Sequence, residues 1–142
     1  MTLALGPVRI PESDQEILCD ELVASHAGRV VRQSQRRASH VSEGLSDRQY
    51  YLFDHHVVFE VKAEDGKLSA AQYDLLELHH RSNGIAGCGT IADLRVLIPA
   101  LRRSREEGRA LGWRLVQLWA ARGLRHERKK RTSTLLLPNS VR

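Results

Sequence analysis

No apolar run in the 142-residue chain approaches the roughly 20 residues that a membrane-spanning helix needs. The amino terminus lacks the basic segment and long apolar stretch of a secretory signal. Cysteine is scarce: Cys19 and Cys88 match no zinc-ligand spacing and suggest no disulfide scaffold. Internal repeats and low-complexity tracts are missing too. Seven histidines are present, but none stands in an H-E-x-x-H or Cys/His zinc pattern. His55-His56 and His79-His80 are adjacent pairs whose members diverge on a strand or helix, so surface or hairpin-tip positions explain them better than a metal. What remains is a cytoplasmic protein with reduced thiols and one main domain. Its apolar and charged contents, 42% and 27%, are ordinary for that class.

Residues 44–72 depart from the ordinary. They read GLSDRQYYLFDHHVVFEVKAEDGKLSAAQ, and the apolar run Val57-Val58-Phe59 leads straight into Glu60-Val61-Lys62. Ending a buried strand on a carboxylate and an amine is costly unless the charges are paired or hold a metal. Strand alternation points Glu60 and Lys62 one way and Val61 the other. Arg48 to Phe53 is a second strand candidate, with Asp54-His55 as the tight turn between the two. A hairpin of this kind brings Asp47 near Glu60 and Lys62. Two carboxylates and a lysine then converge, as divalent-metal phosphodiester cleavage requires. The plainer alternative is a hairpin salt bridge between Glu60 and Lys62, with Asp47 a turn residue. Asp54 competes with Asp47 for the first carboxylate position but reads better as the turn.

The order Asp47, then Glu60-x-Lys62, resembles the PD-(D/E)xK nuclease superfamily. More narrowly, Gly44-Leu45-Ser46-Asp47, the hairpin, Glu60-Val61-Lys62 and Leu68-Ser69-Ala70-Ala71-Gln72 resemble the virus-type replication-repair nuclease (VRR-Nuc) domain. Ser46 stands where that family usually has proline, a position that is not a ligand. The resemblance spans roughly residues 13–98. It implies an α/β fold with a restriction-endonuclease-like core, a mixed sheet flanked by helices. It also implies that the Val61 carbonyl and a first-helix glutamate, Glu16, join Asp47 and Glu60 at the metal, and that Gln72 faces the site. Hard oxygen ligands suit Mg²⁺ or Mn²⁺. Lys62 would orient or deprotonate the attacking water, or offset charge in the transition state.

Elsewhere the residues predict ordinary elements. Residues 1–12 form a lead-in. Ser13-Asp14-Gln15-Glu16 reads as a capping box for a helix with the stripe Ile17, Leu18, Leu22, Val23 and a stop at Gly28. A capping role for Glu16 competes with the metal role, and Glu21 is a poorer alternative ligand. Arg29 to Ser34 is a short strand, and residues 35–43 are a loop whose Arg36 and Arg37 either touch phosphate or are solvated. Ala63 to Gly66 is a turn with Gly66 free to take positive φ. Ser69-Ala70-Ala71-Gln72 is a second capping box, so Gln72 too has a structural alternative to a site role. Asn83-Gly84 closes that helix, and Ile85 to Ile91 is a core strand. Asp93 to Ile98 is a short helical stretch, and Pro99 either kinks it or starts the next helix. Leu111, Leu115, Leu118 and Trp119 form an amphipathic stripe after Gly108, to be buried on the core or on a second copy in a homodimer. Leu135-Leu136-Leu137-Pro138 reads as a small docking strand.

The net charge is +5, yet residues 102–131 alone carry +8. A basic C-terminal extension (99–142) on an acidic body suits a polyanion, and Arg128, Lys129, Lys130 and Arg131 are its densest run. The expectation is a metal-dependent DNA endonuclease, with branched or flapped DNA as candidate substrates. The alternatives are a non-catalytic DNA-binding module and a protein-interaction subunit on the same fold.

Overall fold

Alternation along residues 55–61 decides the architecture. Val57, Phe59 and Val61 are buried on one side of that strand, while Val58 and Glu60 face the other. The computed structural model describes residues 9–32 and 48–126. There the order is α1 (Glu12–Ser25), β1 (Arg29–Arg32), β2 (Arg48–Leu52), β3 (His55–Val61), α2 (Ala70–Arg81), β4 (Ile85–Gly89), α3 (Ile91–Arg103) and α4 (Arg105–Ala120). The strands form one mixed sheet in the order β1-β2-β3-β4. β1, β2 and β3 are an antiparallel meander, and β4 returns parallel to β3 through the α2 crossover. One face is covered by α1 and α3, whose Cys19, Val23, Leu94, Leu97 and Leu101 meet Val57, Phe59 and Ile85. The other is covered by α2 and α4 through Leu76, Val116 and Trp119 against Ala86 and Cys88. The expected α/β class holds. No helix among the described residues is long and apolar enough to cross a membrane.

Several local expectations need correction. The hairpin turn is Phe53-Asp54, one residue earlier than expected, with φ of 51° and 65° as a two-residue turn of the I′ sort needs. His55 is thereby the first residue of β3, paired with Leu52. A slip of one residue would turn Tyr50 and Leu52 away from the core. α1 begins at Glu12 behind Pro11, with no side-chain cap, so Ser13 and Glu16 form no capping box. The Pro11 carbonyl instead accepts from the Asp14 and Gln15 amides, both at 3.0 Å. The buried side of α1 is Gln15, Cys19 and Val23, leaving Ile17 54% exposed. The helix ends before Gly28, with Ala27 at a φ of 62°. β1 is described over Arg29–Arg32, with residues 33 and 34 outside the described residues, and Gly66 is not among the positive-φ residues.

The C-terminal helices differ most. α3 starts at Ile91, capped by Thr90, so β4 ends at Gly89, two residues short of Ile91. It runs through Pro99 to Arg103, across the position where the extension was expected to begin. Gly108 lies inside α4, not before it, and the helix buries Gly108, Gly112, Leu115, Val116 and Trp119. Leu118 is 57% exposed. Of the expected stripe, Leu115 and Trp119 are buried in this chain's own core, Leu111 partly so, and Leu118 is not. Residues 35–43 and 135–138, read as loop and strand, lie outside the described residues.

Gly112 lets α4 approach the sheet, because a Cβ there would collide with the Ala86 carbonyl oxygen. Gly112→Ala gains helix propensity of about 1 kcal/mol but overpacks against backbone that cannot rotate away. We expect a net destabilisation of about 1–3 kcal/mol. A urea midpoint equal to or above that of the parent protein would show that the helix can shift freely.

Candidate active site

The first step is the end of β3. The Lys62 amide extends the ladder by donating to the Gly89 carbonyl at 2.8 Å, which carries the strand's alternation through residue 62. Glu60 and Lys62 therefore share the α2 face, and their side chains are only 12% and 5% exposed. A buried ammonium needs acceptors. Gln72, in the first turn of α2, supplies one: its Oε1 accepts from Lys62 Nζ at 3.0 Å. The same Oε1 accepts from the Ser69 backbone amide at 2.9 Å, while Ser69 Oγ accepts from the Gln72 amide at 3.0 Å. Gln72 Nε2 donates to Glu60 Oε2 at 2.9 Å, and Lys62 Nζ lies 3.9 Å from that oxygen. Capping and site roles, alternatives in the sequence, coexist in one amide.

Cys88 is the register partner of Glu60. Burial, and then the Glu60 carboxylate, push its thiol well above the ordinary value. It stays protonated and is no nucleophile.

A second cluster forms on the α1 face. Arg48 is 5% exposed and forks onto Asp20, Nε to Oδ1 and Nη2 to Oδ2, each at 3.2 Å. Tyr50 Oη donates to Asp20 Oδ1 at 3.1 Å, and Glu16 Oε1 lies 3.7 Å from Arg48 Nη2. Burial, with Asp20 adding, pushes the Cys19 thiol up to about 12. Sequence reasoning missed Arg48 and Asp20. The signal was there: residues 48, 50 and 52 share a face, so an arginine aligned with Tyr50 and Leu52 points into the core.

Glu60, Lys62 and Gln72 are thus brought together. Val61 is adjacent, with its side chain buried on the opposite face. Glu16, on α1, sits beside Arg48 of β2, and α1 packs on the face opposite α2. Asp54 is at the exposed hairpin tip, six residues before Glu60 and away from it by on the order of 20 Å. Asp47, Arg36, Arg37, Arg128, Lys129, Lys130 and Arg131 lie outside the described residues. Among the described residues no three His, Cys, Asp or Glu side chains gather as a metal cluster. Glu60 offers a hard oxygen donor of the kind that suits Mg²⁺ or Mn²⁺.

Basic groups line the rim. Arg122 donates to the Glu64 carbonyl at 2.6 Å, with its guanidinium 3.5 Å from the centre of the Trp119 ring. The Arg125 amide donates to Leu68 O at 2.7 Å, and Arg125 O accepts from Ala70 at 3.2 Å. These two bonds hold the chain after α4 beside the Ser69 cap.

The histidine pairs diverge as expected. His79 meets the edge of His56 at 5.7 Å, and His80 stacks on Trp113 at 4.5 Å. Comparison with protein-family models, with curated proteins and with solved structures found no match for the chain.

Gln72→Leu removes the acceptor of a buried ammonium, and we expect a loss of roughly 2–3 kcal/mol. Adding Lys62→Met should restore much of it, because the charge goes with its acceptor. A double-mutant cycle checks this; additive losses would mean that the 3.0 Å bond carries no weight. Burial, reinforced by His56 and Arg105, lowers the His79 pKa, and burial with Arg109 lowers that of His80. The unfolded chain then binds more protons just below pH 6.5, so stability rises with pH through that window. Urea midpoints at pH 5.5 and 7.5 should differ less in His79→Gln than in the parent; an equal difference assigns the effect elsewhere.

Proposed function

We propose that the chain is a metal-dependent DNA endonuclease of the PD-(D/E)xK type, acting in the cytoplasm, with Glu60 and Lys62 at its centre. The observation that carries this reading is a lysine almost wholly buried 3.9 Å from a carboxylate and fixed through one glutamine. A surface ion pair needs no such enclosure, whereas a group that must meet a reacting phosphate at a set position does. Asp47, which immediately precedes Arg48 in the sequence, is the second carboxylate that the resemblance assigns. A mixed sheet flanked by helices is also what a restriction-endonuclease-like core would require.

A divalent cation, when bound, supplies positive charge to the scissile phosphate and lowers the pKa of water. Glu60 and Asp47 would hold it, with the Val61 carbonyl. Lys62, whose Nζ is kept in place by Gln72, would orient the attacking water or offset charge on the phosphate. Gln72 sets the Glu60 carboxylate through its Nε2. Glu16, engaged near Arg48, would act by steadying β2 rather than as a ligand. Arg122 and Arg125 at the rim, with the basic run that follows them, would hold the DNA backbone.

Labelled linear, flapped and four-way DNA with Mg²⁺ or Mn²⁺ tests the proposal. We expect cleavage of at least one substrate, and a loss of about 100-fold or more in Glu60→Ala and Lys62→Met with DNA affinity largely kept. Tight binding without cleavage in the parent protein would favour the non-catalytic module. Full activity in Glu60→Ala would remove the site altogether.

A further inference from the structure

Two clefts meet at the hairpin tip, at the end of β3 away from Glu60. One, of about 520 Å³, lies between α1 and α3; Arg95, Arg102 and Arg103 line it above Leu22, Ile98 and Pro99. The other, of about 590 Å³, is lined by Tyr51, Phe53 and His56. His26 lines both, so the two adjoin round the end of the sheet, with the arginines on the α1/α3 side and the Tyr51–His56 stack on the α2 side. Arg102 joins the two sides: its guanidinium is 5.0 Å from the Phe53 ring centre, and its Nη2 is 3.1 Å from His26 Nδ1. Tyr51 and His56 stack at 4.8 Å with planes 15° apart, and Tyr51 remains 43% exposed. β1 sets the exposed Arg29 directly opposite Tyr51. Opposing charge is slight: Asp54 is the acidic residue lining the groove, and Arg103 pairs with Glu107.

We propose that this groove binds single-stranded nucleic acid, with bases stacked on Tyr51 and Phe53 and phosphates on Arg95 and Arg102. An aromatic platform beside a file of arginines fits a ligand that alternates flat π-faces with fixed negative charge. Duplex DNA hides its base faces in its own stack and offers the rings nothing. An acidic peptide would satisfy the arginines and leave the aromatic half idle. The inference does not rest on the nuclease reading, because the groove shares no residue with the Glu60 site.

The test uses the full chain with metal chelated, so that cleavage plays no part. Anisotropy of a labelled twelve-residue oligothymidylate is compared with that of an abasic strand of equal length. The oligothymidylate should bind about five-fold or more tightly than the abasic strand. Tyr51→Ala should remove most of that advantage and leave abasic binding unchanged. Arg95→Glu, on an exposed helical position, should weaken both strands and reduce the dependence of affinity on salt. Cleavage of the labelled substrates by the parent with Mg²⁺ is read separately from this metal-free binding, which separates failure here from failure of the nuclease site. Equal affinity for the two strands, indifference to both groove variants, or equally effective displacement by polyglutamate would overturn the proposal.

Discussion

The buried ammonium of Lys62 constrains everything around it. A lysine this enclosed keeps its charge only if acceptors are fixed within reach, and Gln72 Oε1 meets that need at 3.0 Å. The acceptor is fixed because it also caps α2, taking the Ser69 amide at 2.9 Å. Breaking the cap would free the amide, and moving the amide would strand the charge. Helix start, strand end and ion pair therefore stand or fall together. The geometry between Glu60 and Lys62 is held by secondary structure rather than by the two side chains alone.

Much of this was legible. The hairpin, the Ser69–Gln72 capping box and the shared face of Glu60 and Lys62 all follow from short-range rules, and the structure has them. What failed involved choices between near-equal local options that distant contacts decide. The hairpin turn moved by one residue because the facing of Tyr50 and Leu52 outweighed the preference for a turn at Asp54-His55. The Ser13–Glu16 box lost to Pro11, which opens the helix two residues earlier, and the Glu16 carboxylate lies near Arg48 instead. Pro99 reads as a boundary in isolation, yet Leu97, Ile98, Ala100 and Leu101 are buried around it. Their burial outweighs the single backbone bond that proline gives up. Arg48 was overlooked because its partner, Asp20, is 28 residues away.

The location of the proposed site follows from the strand directions. β3 and β4 are parallel, so both end on the same side, and the helices that follow them, α2 and α3, open there with their unpaired amides. In open α/β sheets a ligand crevice forms outside the carboxyl ends of such strands. Each helix start is closed by side chains that also reach outward. At α3, Asp93 Oδ2 accepts from the Thr90 amide at 2.9 Å and from Trp119 Nε1 at 3.1 Å, and Gln15 of α1 accepts from the Ile91 amide at 2.8 Å. At α2, Gln72 reaches Lys62 and Glu60. The two caps thus tie α1, α2, α3 and α4 to one end of the sheet. Helix N-termini favour negative charge, so an anion approaching this end meets two positive helix ends and a buried ammonium. Among the described residues the Glu60 and Asp93 carboxylates also lie at this end, and a cation bound there would offset their repulsion of a phosphate. The metal proposed for this end thus answers an electrostatic need as well as the resemblance.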